Sequence, residues 1–193
     1  RPLRDLRLPS ALQHRPFRQY WLSQIVALAG TWMQSVGTQL VVLSLTTSAV
    51  AIGAINVVSA LPMLLLSLSG GVVADRFDRR HILIVAMSLL GLLSLAYAWL
   101  IWTGALAYWH ILVLAALAGV IASFQLPASQ AFVAELVPRE DLPQAIALNS
   151  ASFNSTRIVG PALAATAIGA LGLASAFIVN ALTLLAPIGT LLR

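Results

Sequence analysis

Gln19-Tyr20-Trp21-Leu22-Ser23-Gln24-Ile25-Val26 opens a run that closes on Gly71-Val72-Val73-Ala74, and its 56 residues include no Asp, Glu, Lys or Arg. A second run, Ile82 to Ala134, gives 53 more, and a third, Leu142 to Leu192, gives 51 broken only by Arg157. The three runs take up 160 of the 193 residues. A helix rises ~1.5 Å per residue and the hydrocarbon core of a bilayer is ~30 Å thick, so one span needs about 20 residues. Each run is too long for one span and long enough for two. The sequence therefore predicts an all-α integral membrane protein with six transmembrane helices.

The composition agrees. Hydrophobic residues make up 60% of the chain and charged residues 9%, against ~25% charged in soluble domains. That excludes a soluble enzyme, a nucleic-acid-binding domain and a disordered chain. The net charge of +5 follows membrane logic instead. All 11 basic residues are Arg, and ten of them fall at the N-terminus, at 76–80, at 139 and at 193. The N-terminal segment lacks the apolar core and small-residue cleavage site of a signal peptide. Cysteine is absent, which leaves no disulfide, thiolate metal site or cysteine nucleophile. No metal or cofactor is expected.

Each run needs a turn near its middle. Thr46-Thr47-Ser48, Trp102-Thr103-Gly104 and Gly169-Ala170-Leu171-Gly172 supply the loop residues. The spans are then about 20–46, 50–74, 81–102, 107–134, 143–168 and 172–192, after an N-terminal segment over 1–19. The three turns carry no Arg, whereas the opposite side carries ten. Short loops rich in Arg stay cytoplasmic, so both ends are expected there. In the N-terminal segment, Ser10-Ala11-Leu12-Gln13 reads as a capping box and Pro16 as a stop. Leu3, Leu6, Leu8 and Leu12 either lie in the membrane interface or belong to a frayed tail that only sets orientation.

Polar residues inside spans face other helices or a water-filled cavity. Gln24, Thr31 and Thr38 repeat every seven residues on the first span, bordered by Gln34 and Ser35. The fourth span carries Gln125 and Ser129, and the fifth carries Asn149, Ser152, Asn154 and Arg157. Spans 1, 4 and 5 are expected to line a cavity. Spans 3 and 6, which are greasier, are expected to face lipid. The plainer alternative is that these amides and hydroxyls only hold helices together. Arg157 lies about 14 residues into its span, or roughly 20 Å by helix rise, and no acidic residue lies at that depth. Its partner is then backbone or amide oxygen, a carboxylate on another chain, or an anionic ligand.

Gly71-Val72-Val73-Ala74-Asp75-Arg76-Phe77-Asp78-Arg79-Arg80 links the second and third spans. It resembles the G-x-x-x-D-R-x-G-R-R signature of the major facilitator superfamily, with Asp78 at the usual second glycine. That variant is similar to the exporter branch that includes enterobactin and macrolide efflux proteins. Arg157-Ile158-Val159-Gly160-Pro161-Ala162 resembles the antiporter-like motif of the fifth helix in that branch. No arginine on the fourth span corresponds to the drug–proton antiporter motif.

The resemblance implies the N-terminal half of a twelve-helix transporter, built of two inverted three-helix repeats. It implies export of small amphiphilic molecules such as siderophores or drugs across a bacterial inner membrane, by alternating access and driven by protons. Gln24, Thr31, Gln34, Thr38, Gln125, Asn149 and Arg157 would line the path. Gly71, Asp75, Arg76, Arg79 and Arg80 would form a conformational latch. In that latch Gly71 would allow close helix approach and Asp75 would accept hydrogen bonds from a helix N-terminus. Gly160 and Pro161 would shape the fifth helix. The implied partners are the lipid bilayer, a small-molecule substrate, and either six further helices or a second copy.

Two other classes are weaker. An intramembrane serine protease needs a histidine base beside a serine, but His14, His81 and His110 all lie outside or at the ends of spans. A membrane subunit of an ATP-driven transporter, or a structural membrane module, is the remaining alternative. The loops are too short for the coupling helices such subunits use.

Overall fold

In hydrocarbon no water is present to hydrogen-bond a free N–H or C=O, so apolar runs of this length satisfy their backbone internally as helices. The computed structural model describes residues 9–46 and 48–193 and is helical apart from short turns. A one-turn α1 (Ser10–Gln13) precedes α2 (Arg15–Leu45), α3 (Ala49–Arg76), α4 (Arg79–Trp102), α5 (Tyr108–Leu136) and α6 (Leu142–Leu171). The chain closes with α7 (Ala174–Thr183) and α8 (Leu185–Leu191). Among the described residues five stretches are long and apolar enough to cross a bilayer: α2, Val50–Arg76, α4, α5 and Ala174–Leu191, which joins α7 and α8. With 30 residues, α6 has the length. Its polar run from Asn149 to Arg157 keeps it below the apolarity of the other five.

The turns fall where the sequence places them. Residues 46–48 separate α2 from α3, and Gly104 turns with φ of 69° after α4. The third turn is tighter than expected. Gly169 and Ala170 are still helical, and Gly172, with φ of 84°, ends α6 alone. Only glycine takes that backbone region without strain.

The N-terminal segment departs from the expectation. Pro16 does not stop a helix but sits in the first turn of α2, which starts at Arg15. Proline lacks the N–H that a first turn leaves unpaired, so it opens helices as readily as it closes them. Ser10 is not a cap either, because Pro9 occupies the cap position of α1 and no side chain caps it. Leu12 is buried with Ala11 against the bundle. Leu3, Leu6 and Leu8 lie outside the described residues.

Two apolar cores hold the bundle. One, at the Arg-rich end, gathers Phe17, Tyr20, Leu83, Met87, Val133 and Leu184. The other, toward the opposite end, gathers Val41, Val42, Tyr97, Ile111 and Phe177. The principal helix pairs are α3 on α5, α2 on α6, α4 on α5, α2 on α7 and α4 on α7. In the α3–α5 pair the backbones come together. A Cβ on Gly70 would overlap the Ser123 carbonyl oxygen, and one on Gly119 would overlap that of Ser59. Gly71 was expected to fill this role, but a Cβ there meets nothing within 4 Å. It lies one position round the helix, about 100° from the contact line. On its other side α3 is bare: Leu64, Leu65 and Leu68 are 74%, 72% and 85% exposed.

Candidate functional site

Between the helices lies a cavity of about 1160 Å³. Its walls come chiefly from α2, α3, α5 and α6. Gln24, Thr31, Gln34, Thr38, Gln125 and Asn149 all line it, together with Ser35, Asn56, Ser129 and Asn154. None of the lining residues is charged. The surface is therefore neutral, with amides and hydroxyls set among Leu, Ile, Ala and aromatic side chains.

The polar groups differ in how much they have to offer. Thr31 donates to the Ala27 carbonyl at 3.0 Å and Thr38 to that of Gln34 at 2.9 Å, so both hydroxyl protons serve their own helix. Gln125 and Asn149 form no side-chain hydrogen bond among the described residues. Two groups are organised into nodes. In the first, near the Arg-rich end, Gln24 Nε2 donates to the Tyr20 hydroxyl at 2.5 Å, and that hydroxyl meets Ser129 Oγ at 3.2 Å. In the second, Ser94 Oγ and Asn180 Nδ2 both reach Gln34 Oε1, at 2.5 and 2.6 Å. Ten residues of α2 separate Gln24 from Gln34, or about 15 Å of helix.

The second node corrects the sequence reading. Ser94 on α4 and Asn180 on α7 are 0% and 5% exposed and face inward. Spans 3 and 6 were expected to turn to lipid, and most of their surface is apolar. One buried serine on α4, and Ser175 with Asn180 on α7, leave almost no trace in an average over the helix. The only sequence signal was the isolated Ser and Asn in otherwise apolar segments.

Arg157 lies elsewhere. It is exposed on α6 and absent from the cavity wall. Its guanidinium carbon sits 5.8 Å from the centre of the Trp32 ring, which packs edge-on against Phe153 at 5.4 Å. The nearby Asn154 donates instead to the Ser150 carbonyl at 2.8 Å. Of the three partners expected for it, backbone or amide oxygen is not used among the described residues, and the guanidinium instead stands over the tryptophan ring. Gly160 lies against the same tryptophan, where a Cβ would overlap Trp32 Cβ. Helix α6 runs unbroken through Pro161.

At the Arg-rich end, the loop between α3 and α4 is organised differently from its motif. Asp75 and Arg76 are exposed and make no side-chain hydrogen bond or ion pair among the described residues. The helix cap expected of Asp75 is made by Asp78, which accepts from the Arg80 N–H at 2.9 Å and meets His81 Nδ1 at 2.7 Å. Asp78 directly precedes α4, which is where a cap must stand. The bond from His81, followed by that from the Arg80 N–H, holds its carboxyl below the usual range. Arg79 forms an ion pair with Glu135 at the end of α5.

A second clasp was not foreseen. Ser10 Oγ meets Asp141 and also Gln144 Oε1, the latter at 2.7 Å, while the Ala11 N–H donates to Gln144 Oε1 at 2.8 Å. His14 Nε2 lies 2.7 Å from Asp141 Oδ2. These contacts tie α1 to the start of α6. The Ser10 hydroxyl, then His14, lowers the Asp141 carboxyl below its ordinary value.

A neutral cavity enclosed by long apolar helices, with charged clasps confined to one end, defines a membrane transport domain of the major facilitator type. The chain belongs to the family described as transmembrane secretion effector, whose profile matches residues 9–193. It is 30% identical over 162 residues to the uncharacterized MFS-type transporter YfiS of Bacillus subtilis. That match covers 82% of this chain and 37% of the relative. It is 28% identical over 148 residues to the staphyloferrin A transporter of Staphylococcus aureus, covering 76% of this chain and 37% of that protein. The chain therefore spans little more than a third of the length of the relatives it matches. No solved structure matches it.

Proposed function

We propose that these residues form one six-helix wall of an exporter, which carries small amphiphilic molecules such as siderophores or drugs by alternating access. The observation that carries this reading is the neutral, amide-studded cavity of about 1160 Å³. It is large enough for a drug-sized molecule, since ligand pockets run to about 300–1,000 Å³. Its mixed lining suits a solute with an apolar body and a few polar groups. The name of the staphyloferrin A transporter supports the siderophore class.

In this reading α6 is the fifth of six spans, polar because it borders the pathway. Two inverted repeats, α2–α4 and α5–α8, are supported by reciprocal packing. The first helix of each unit lies on the second and third helices of the other, and the two third elements, α4 and α7, meet each other. Both ends face the cytoplasm of a bacterial inner membrane, because the Arg-rich end holds ten arginines and the other end none.

The partner is six further helices or a second copy, covering the bare faces of α3 and α6. Protons drive the cycle. The cavity wall contains no acidic side chain, so the coupling carboxylate belongs to that partner. The Arg79–Glu135 pair and the Asp78 cap act as the latch, in place of the Asp75-centred arrangement.

The test is export of a fluorescent drug from cells expressing the intact protein, with and without a protonophore. Energy-dependent loss of the dye, abolished when Gln34 and Gln125 are replaced together by Leu, is expected. Equal retention in expressing and non-expressing cells, across siderophores and drugs alike, would sink the reading.

A further inference from the structure

The Gln34 node has a direction. We infer that Gln34, held by Ser94 and Asn180, is a hydrogen-bond donor that selects ligands carrying a neutral acceptor such as a ketone, ester or amide carbonyl. This rests on the cavity being the ligand site proposed above.

A glutamine amide has one acceptor oxygen and one donor nitrogen. Oxygen Oε1 of Gln34 receives Asn180 Nδ2 at 2.6 Å. Ser94 Oγ stands 2.5 Å from the same oxygen, and its one proton is shared between that oxygen and the Leu90 carbonyl at 3.0 Å. The same Asn180 Nδ2 lies 2.9 Å from Ser94 Oγ, so the three side chains close a ring that joins α2, α4 and α7. The amide nitrogen is left over. It has no protein partner among the described residues, and Gln34 lines the cavity. Asn180 Oδ1 is buried and makes no hydrogen bond, to the Gln34 nitrogen or to any other group.

The anchoring groups are deeply placed, with Ser94 at 0% and Asn180 at 5% exposure. A fixed amide loses little rotamer freedom when a ligand arrives, which strengthens selectivity per bond. Its surroundings are neutral, so a carboxylate would enter without a counter-charge, whereas a neutral carbonyl meets a donor at little desolvation cost. A site built to donate also discriminates against analogues lacking the acceptor, because its own N–H groups are then left dry.

The experiment uses the intact protein in nanodiscs with three probes that share one ring system. Acetylanthracene has an acceptor only, ethylanthracene has neither group, and aminomethylanthracene is a cationic donor. Binding is read by quenching of tryptophan fluorescence, since Trp21 lines the same cavity. Acetylanthracene should bind roughly five- to tenfold tighter than ethylanthracene, the range that one neutral hydrogen bond supplies. Aminomethylanthracene should bind most weakly.

In Gln34→Leu the preference should fall to about one. Gln34→Met keeps the length of the side chain while removing the donor, so it too should lose the preference, and unchanged binding of ethylanthracene shows that the cavity is still assembled. A preference for the amine would mean the amide is turned over, and overturns the inference. So does a ratio near one in the unaltered protein, or no saturable binding of any probe. Binding is measured without a gradient, so selective binding without uphill export would instead count against the transport reading.

Discussion

Gly70→Ala and Gly71→Ala add the same methyl group at adjacent positions and place it in opposite surroundings. At Gly70 the new Cβ would lie 2.9 Å from the Ser123 carbonyl carbon and would overlap its oxygen, where ordinary contact is 3.4–4 Å. Both offending atoms belong to the α5 backbone, which has no rotamer to retreat into. The two helices must part by about 1 Å along their contact line, in a bundle packed as tightly as a crystal. Overpacking of this kind costs about 1–3 kcal/mol. At Gly71 the methyl meets nothing within 4 Å, and replacing a mid-helix glycine by alanine gains about 0.5–1 kcal/mol.

The two variants should therefore differ by about 1.5–4 kcal/mol, with opposite signs relative to the unaltered protein. Reversible unfolding in mixed micelles with increasing dodecyl sulfate measures this directly. If the two substitutions shift the midpoint equally, or if Gly71→Ala is the damaging one, the α3–α5 contact runs through the motif glycine and the packing described here is wrong.

Three further outcomes follow from the charged groups. Asp78→Ala removes the α4 cap and should lower the midpoint in the same unfolding assay, while Asp75→Ala, which breaks no bond, should leave the midpoint unchanged. Asp141 is held below its ordinary value of 3.8 by Ser10 and His14. Its contribution to the α1–α6 clasp is thus complete above that value and lost as pH falls through the lowered one. A spin-label distance between positions 9 and 140 should stay constant down to about pH 4 and lengthen below it, whereas lengthening between pH 7 and 5 would assign control to another group. Arg157→Ala should leave binding of the anthracene probes intact, because Arg157 is not on the cavity wall. Lost binding at normal protein levels would bring it into the site.

The all-helical membrane plan was legible because charge is so strongly segregated. Three uncharged runs bounded by arginines mark the long apolar helices and the turns that join them. The cavity was legible in part because Gln24, Thr31 and Thr38 repeat at the spacing of one helix face. Ser94 and Asn180 were not, since one or two inward polar residues in an apolar helix have no periodicity to reveal them. Arg157 drew attention because a charge inside a span demands a partner. It is exposed on α6 over the Trp32 ring and off the cavity wall, and a sequence does not show which side of a helix is covered. The loop motif shows the limit of consensus reading. The aspartate that caps α4 is Asp78, the residue that departs from the pattern, because capping depends on standing just before the helix.

These helices have no cysteine of their own, so a cysteine introduced into them is the one label site within them, and the unsubstituted protein gives the background. The most direct test of the polar cavity is the labelling of Gln34→Cys, Gln125→Cys and Asn149→Cys by a membrane-impermeant thiol reagent in inside-out vesicles. Leu92→Cys, on the exposed apolar side of α4, serves as the lipid-facing control. The cavity predicts rapid labelling at the three polar positions and slow labelling at 92. Equal, slow labelling at all four would mean that the amides only join helices, and no water-filled pathway runs between them.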